Sequence, residues 1–211
     1  MVEDRRYWLR TGARVASLGF EPIDAETKVR VMELTTRLVR EEPTWRSHDL
    51  RAQAFWRLDR RGESLGEKLE AARLGGAAYW QEPEQFDPDL SLIFWANRQK
   101  TDYEMLLRFV AERQRREGPR DGDRIIRSMA RYRLGQYRQA IDELEAHEKA
   151  DAIQNMIRAL CLLAAGDEAT ARAVYRSARP EFDKELGHHD FNASWLEQEM
   201  HPKFSELSTP E

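Results

Sequence analysis

Few residues in this chain are of types that do covalent or metal chemistry, and their spacing narrows what they can do. His188, His189 and Asp190, with Glu185 and His201 nearby, form its one group of metal-ligand types. Two imidazoles and a carboxylate bind zinc or iron when they converge. Adjacent residues on a helix point about 100 degrees apart, so His188 and His189 converge poorly. The plainer reading is a loop after Gly187 that opens a last helix, with Asp190 or Asn192 as its cap. Cys161 is the single cysteine and sits within Ala159-Leu-Cys-Leu-Leu-Ala-Ala. A nucleophile needs a base beside it, and Arg158 is the nearest polar residue. A small buried hydrophobe is therefore expected there. The sequence carries no phosphate-cradling glycine loop, no Ser-His-Asp order and no His-Glu-x-x-His. Neither an enzyme, nor a metal site, nor a cofactor is expected.

Binding chemistry is better represented. Arg124, Arg127 and Arg131 recur at three and four, so they share one helix face, and Arg138 follows the next turn. Such a stripe neutralises phosphates, or holds carboxylate-rich peptide through bidentate pairs. The plainer reading pairs it with Asp142, Glu145 and Glu148 of the neighbouring helix. The stripe belongs to a wider zone between Arg113 and Arg138, with nine arginines against Glu117, Asp121 and Asp123, a net of +6. Residues 181–211 hold eight acids against Lys184 and Lys203, a net of -6. Between them the two zones offer a route to self-association. Tyr79 and Trp80, near Phe86, Phe94 and Trp95, lie in a stretch with four acids and no base. Tyr and Trp anchor interfaces, and they also fill cores.

These groups need elements to hold them. The chain has 211 residues, a net charge of -4 and 34 % charged residues, with 41 % hydrophobic. That supports a packed core under a highly polar surface. The longest apolar run, residues 159–165, is far short of the roughly 20 residues of a membrane span, and no leader is visible. A cytoplasmic location without membrane contact is expected. Helical periodicity dominates: Val31, Leu34 and Leu38 form one stripe, and Tyr103, Leu106, Leu107 and Val110 another. Glycines and prolines divide the rest into segments of helical length. Thr101 and Asp102 read as a helix start, as do Asp167 and Glu168. Residues 75–89 read as a long irregular loop.

Two stretches, 121–150 and 151–180, align with each other. Leu134-Gly135 matches Ala165-Gly166, Ala140 matches Ala171, and Leu144 matches Tyr175. Each unit reads as a helix, a Gly-centred turn and a second helix whose small Ala admits close approach. A lone hairpin cannot bury its apolar face, so such hairpins stack.

The run Ala130-Arg-Tyr-Arg-Leu-Gly-Gln-Tyr-Arg-Gln-Ala140-Ile-Asp-Glu-Leu144 resembles the turn and second helix of the tetratricopeptide repeat family. Ala159, Gly166, Ala171, Tyr175, Ala178 and Pro180 look like a second copy. Where the family favours Trp and Leu, the first copy has Arg124 and Arg127, and the second has Asn155 and Arg158. Upstream, residues 26–43 look like a second helix ending at the family's proline. Residues 48–74 look like a hairpin turning at Gly62, and 89–116 like one turning near Lys100. The resemblance implies an all-α, right-handed stack of antiparallel hairpins in one domain, residues 1–211. Residues 4–41 would form the first hairpin and residues 181–211 the cap and tail. It also implies a non-enzymatic scaffold or adaptor whose concave groove takes a peptide or protein partner. On that reading Arg124, Arg127, Arg131, Arg138, Tyr79 and Trp80 meet the partner. The alternative is a nucleic-acid-associated factor using the zone between Arg113 and Arg138.

Overall fold

The computed structural model describes residues 24–81, 90, 98–120, 122–145, 150–187 and 191–205. These residues are all-helical, with ten helices and no strand among them. In chain order they are α1 (Ala25–Glu41), α2 (Trp45–Arg57), α3 (Arg61–Gly75), α4 (Ala77–Gln81), α5 (Lys100–Glu117), α6 (Asp123–Arg133), α7 (Tyr137–Glu145), α8 (Ala152–Ala164), α9 (Glu168–Gly187) and α10 (Phe191–Ser205). None of these helices is long and apolar enough to cross a membrane. The helices gather into two compact units. The first comprises Met1–Asp89 with Glu104–Pro119, and the second Leu90–Tyr103 with Arg120–Glu211.

Four of the helix starts carry side-chain caps. Asp24 accepts from the Thr27 amide at 2.8 Å and opens α1. Thr44 and Ser47 form a reciprocal capping box at α2. Asp151 caps α8, and Asp167 accepts from the Thr170 amide at 3.2 Å, as its place before Glu168 suggests. Each such cap satisfies an amide that the first helical turn leaves without a partner. α5 begins one residue before Thr101 and runs well past Val110.

Three turns share one design. Gly135 and Gly166 have φ of 76° and 87°, the left-handed region the alignment calls for. Around Gly135, Leu134 N–H donates to Ala130 C=O, Gly135 N–H to Tyr132 C=O, and Gln136 N–H to Arg131 C=O. Ala165, Gly166 and Asp167 repeat this on Cys161, Leu163 and Leu162. Leu58, Asp59 and Arg60 repeat it on Ala54, Trp56 and Phe55. This is the paired 6→1 and 5→2 pattern that satisfies the last carbonyls of a helix. The α2–α3 hairpin therefore turns at Asp59, φ 63°, and not at Gly62. Gly62 lies inside α3 and is buried.

The helices of these hairpins meet through small residues. Ala52 faces Ser64, whose Oγ donates to the Ala52 carbonyl at 2.7 Å. Ser128 faces Ala140, and here the Oγ sits on the other helix, donating to the Ala140 carbonyl at 3.2 Å. Ala159 and Ala171 hold the matching places in the third hairpin, and all six residues are fully buried. Ala140→Leu should cost about 1 to 3 kcal/mol by overpacking this seam. A urea midpoint unchanged from wild type would contradict the seam.

Two expected boundaries move. Residues 75–89 do not form one continuous loop, because α4 occupies 77–81. Gly75 permits the bend. A Cβ there would lie 2.6 Å from Tyr79 Cβ and 2.9 Å from Trp45 Cγ. Pro180 does not end α9, which continues to Gly187. Ala178 and Phe182, on either side of the proline, are buried, and their packing outweighs the one hydrogen bond proline removes. α10 then presents Leu196, Met200 and Phe204, one apolar stripe, to the second unit's core.

Candidate functional site

The arginine stripe of α6 is offset in part within its own hairpin, by one glutamate. Arg127 and Arg131 both pair with Glu143 of α7, Arg131 at 3.2 Å, and Arg131 also donates to Gln139 at 2.7 Å. The acid is Glu143 rather than Asp142, Glu145 or Glu148. Glu143 follows Ala140 by almost one turn and so faces the same side of the seam as Arg127. Glu145 faces the next helix and pairs with Arg158 at 2.6 Å, while Glu148 lies outside the described residues. Arg133 pairs with Glu199 at 3.1 Å. Arg124 is half-buried and Arg138 exposed, and neither has an ion-pair partner among the described residues. The wider basic zone is divided, with residues 113–119 in the first unit and 120–138 in the second.

Tyr79 is a core residue, contrary to its expected role as an exposed contact. It has no accessible surface and packs edge-on against Trp45 at 5.8 Å and Trp80 at 5.0 Å. Trp80 is half-buried and leans on Phe109 at 6.4 Å. Phe86, Phe94, Trp95, His188, His189 and Asp190 lie outside the described residues, as does the Glu185 side chain, and His201 is exposed. Among the described residues no three His, Cys, Asp or Glu groups cluster to hold a metal. Cys161 is fully buried, and burial pushes its thiol up to about 12, far from a reactive thiolate.

The first unit holds a basic site that the sequence does not advertise. α3 and α5 frame a shallow groove of about 610 Å³. Leu69 and Arg73 come from α3; Arg108, Ala111, Glu112, Arg115 and Arg116 come from α5. Positions 108, 111, 112 and 115 lie on one helix face, which is the only signal available beforehand. Glu112 accepts from Arg115 Nε at 2.9 Å and Nη2 at 2.6 Å, and from Arg116 Nε at 3.0 Å. Arg73 is held the same way by Glu70, at 2.7 and 2.5 Å. Arg108 is exposed and has no ion-pair partner among the described residues.

The Arg115 hydrogen bonds, joined by those of Arg116, hold the Glu112 carboxyl at about 2, below the ordinary 4.5. A depressed carboxyl contributes stability that is complete above the unfolded value and disappears as pH falls through the folded one. The Glu112 contribution should therefore be full above about pH 4.5 and fade toward pH 2. Carbon-detected NMR titration of the Glu112 carboxyl checks this, and a midpoint near 4.5 would show that the arginines do not hold it.

Comparison with family models, with curated proteins and with solved structures found no significant match. The likeness to tetratricopeptide repeats thus rests on the chain's own residues.

Proposed function

We propose that the chain is a non-enzymatic, cytoplasmic protein-interaction module, a scaffold or adaptor of tetratricopeptide-like hairpins. The observation that carries this reading is the hairpin design used three times, around Asp59, Gly135 and Gly166, with the same turn hydrogen bonds and the same small-residue seam. Units of that kind bury one another's apolar faces and leave long surfaces for a partner. Arg51, Arg127 and Arg158 recur at one position of the three first helices, each tied to a glutamate. The arginine-rich surfaces so built suit carboxylates as well as phosphates.

Co-purification from the native source, with and without nuclease, tests the proposal. A protein partner that stays bound after nuclease treatment and at about 200 mM salt is expected, since phosphate contacts weaken steeply over that range. Loss of every associated protein on nuclease treatment would favour the nucleic-acid-associated alternative.

A further inference from the structure

We infer that the groove between α3 and α5 binds an acidic segment of a partner protein, one that flanks an aliphatic side chain with carboxylates. The inference deepens the interaction-module reading and rests on it. The groove has an apolar floor, Leu69 and Ala111, and a basic rim, Arg73, Arg108, Arg115 and Arg116. Glu70 and Glu112 offset only part of that rim, so the four arginines leave a local surplus of +2.

The paired arginines are not thereby used up. A guanidinium has five N–H donors, and a bidentate carboxylate takes two. The remaining donors of Arg73 and Arg115, whose side chains are 66 % and 59 % exposed, stay open to an incoming acceptor. Their own acids hold them in place, so less side-chain freedom is lost when a ligand binds. Arg108 supplies a charge with no ion-pair partner among the described residues.

Glu112 decides between carboxylates and a phosphate chain. It sits within the groove and stays ionised through neutral pH. A nucleic-acid backbone carries evenly spaced charge and would have to run past it. A peptide can set its carboxylates over Arg73 and Arg108, turn a neutral aliphatic side chain toward Leu69 and Ala111, and leave Glu112 to Arg115 and Arg116. Charge complementarity and the apolar floor therefore both favour an acidic peptide.

The test is selection of a random peptide display library on the whole chain, with Arg108→Glu and the Arg127→Glu/Arg131→Glu double variant as comparisons. Far-ultraviolet circular dichroism and urea midpoints confirm that each variant is folded; Arg108 is exposed, so its replacement should be tolerated. The expected result is enrichment of Asp and Glu around one Leu, Ile or Val, with at least tenfold weaker binding of the selected peptides to Arg108→Glu. Peptides that ignore Arg108→Glu but lose binding to the double variant would overturn the groove and leave the interaction-module reading standing. Recovery of no peptide at all would count against both. A random single-stranded oligonucleotide pool, run in parallel at about 150 mM salt, supplies the last outcome: retention that Arg108→Glu abolishes would assign the groove to phosphate and overturn the inference.

Discussion

Lys68→Ala is expected to destabilise the protein by about 3 to 5 kcal/mol, the range for breaking a buried ion pair from one side. Lys68 has no accessible surface. Its ammonium lies 2.9 Å from Asp49 Oδ1 and 5.7 Å from the centre of the Tyr79 ring. Asp49 is itself buried, and its other oxygen accepts from Gln53 at 2.9 Å. Removing the ammonium leaves a carboxylate in the core without its counter-charge. Replacing both partners, Lys68→Met with Asp49→Leu, should cost far less or even stabilise, because neither charge is then desolvated. Urea unfolding of the two variants makes the comparison. A single variant within about 1 kcal/mol of wild type would mean that water reaches the pair.

Phe204→Ala should cost a similar amount, about 3 to 5 kcal/mol, typical of a buried aromatic cut to a methyl. Phe204 is 2 % exposed and stacks on Tyr175 at 4.3 Å with the rings 10° apart. The neighbouring Lys203 clamps the same helix to α6 by donating to the Tyr132 hydroxyl at 2.6 Å, and within α10 it pairs with Glu199 at 2.5 Å. Burial works to raise the Glu199 carboxyl, yet the Lys203 and Arg133 contacts bring it below the ordinary value, so this acid is ionised where it sits. Truncation after Pro202 removes both Lys203 and Phe204 and should destabilise at least as much. The described part of the acidic segment thus packs its apolar stripe into the second unit's core, which thermal melts of the truncated chain check. Unchanged melting would mean that α10 is not needed to close the second unit.

What the sequence disclosed follows from how each feature is encoded. Gly135 and Gly166 were legible because glycine at the end of an apolar run is the common mark of a left-handed residue. Asp59 does the same work without that mark, since Asp is among the few side chains that tolerate the region, and the nearby Gly62 drew the turn to the wrong place. Pro180 read as a stop because a proline's local cost is visible in sequence and the burial of Phe182 is not. The pairing of Arg127 with Glu143 needed the phase of α7 against α6, which a charge count does not contain. The groove was further out of reach: Leu69 and Arg108 belong to helices separated by a stretch with no periodic signal joining them.

Lys68 has one more consequence. It holds the place in its hairpin that Leu144 and Tyr175 hold in theirs, and Asp49 holds the place of Ile125 and Met156. Three hairpins built to one plan share a hazard, because during folding a second helix can dock on the wrong first helix. α3 placed against α6 or α8 would bury an ammonium beside Ile125 or Met156, with no carboxylate to meet it, at a cost of several kcal/mol. The buried charge pair is matched only within the α2–α3 hairpin, so mispairing with either look-alike would carry that cost.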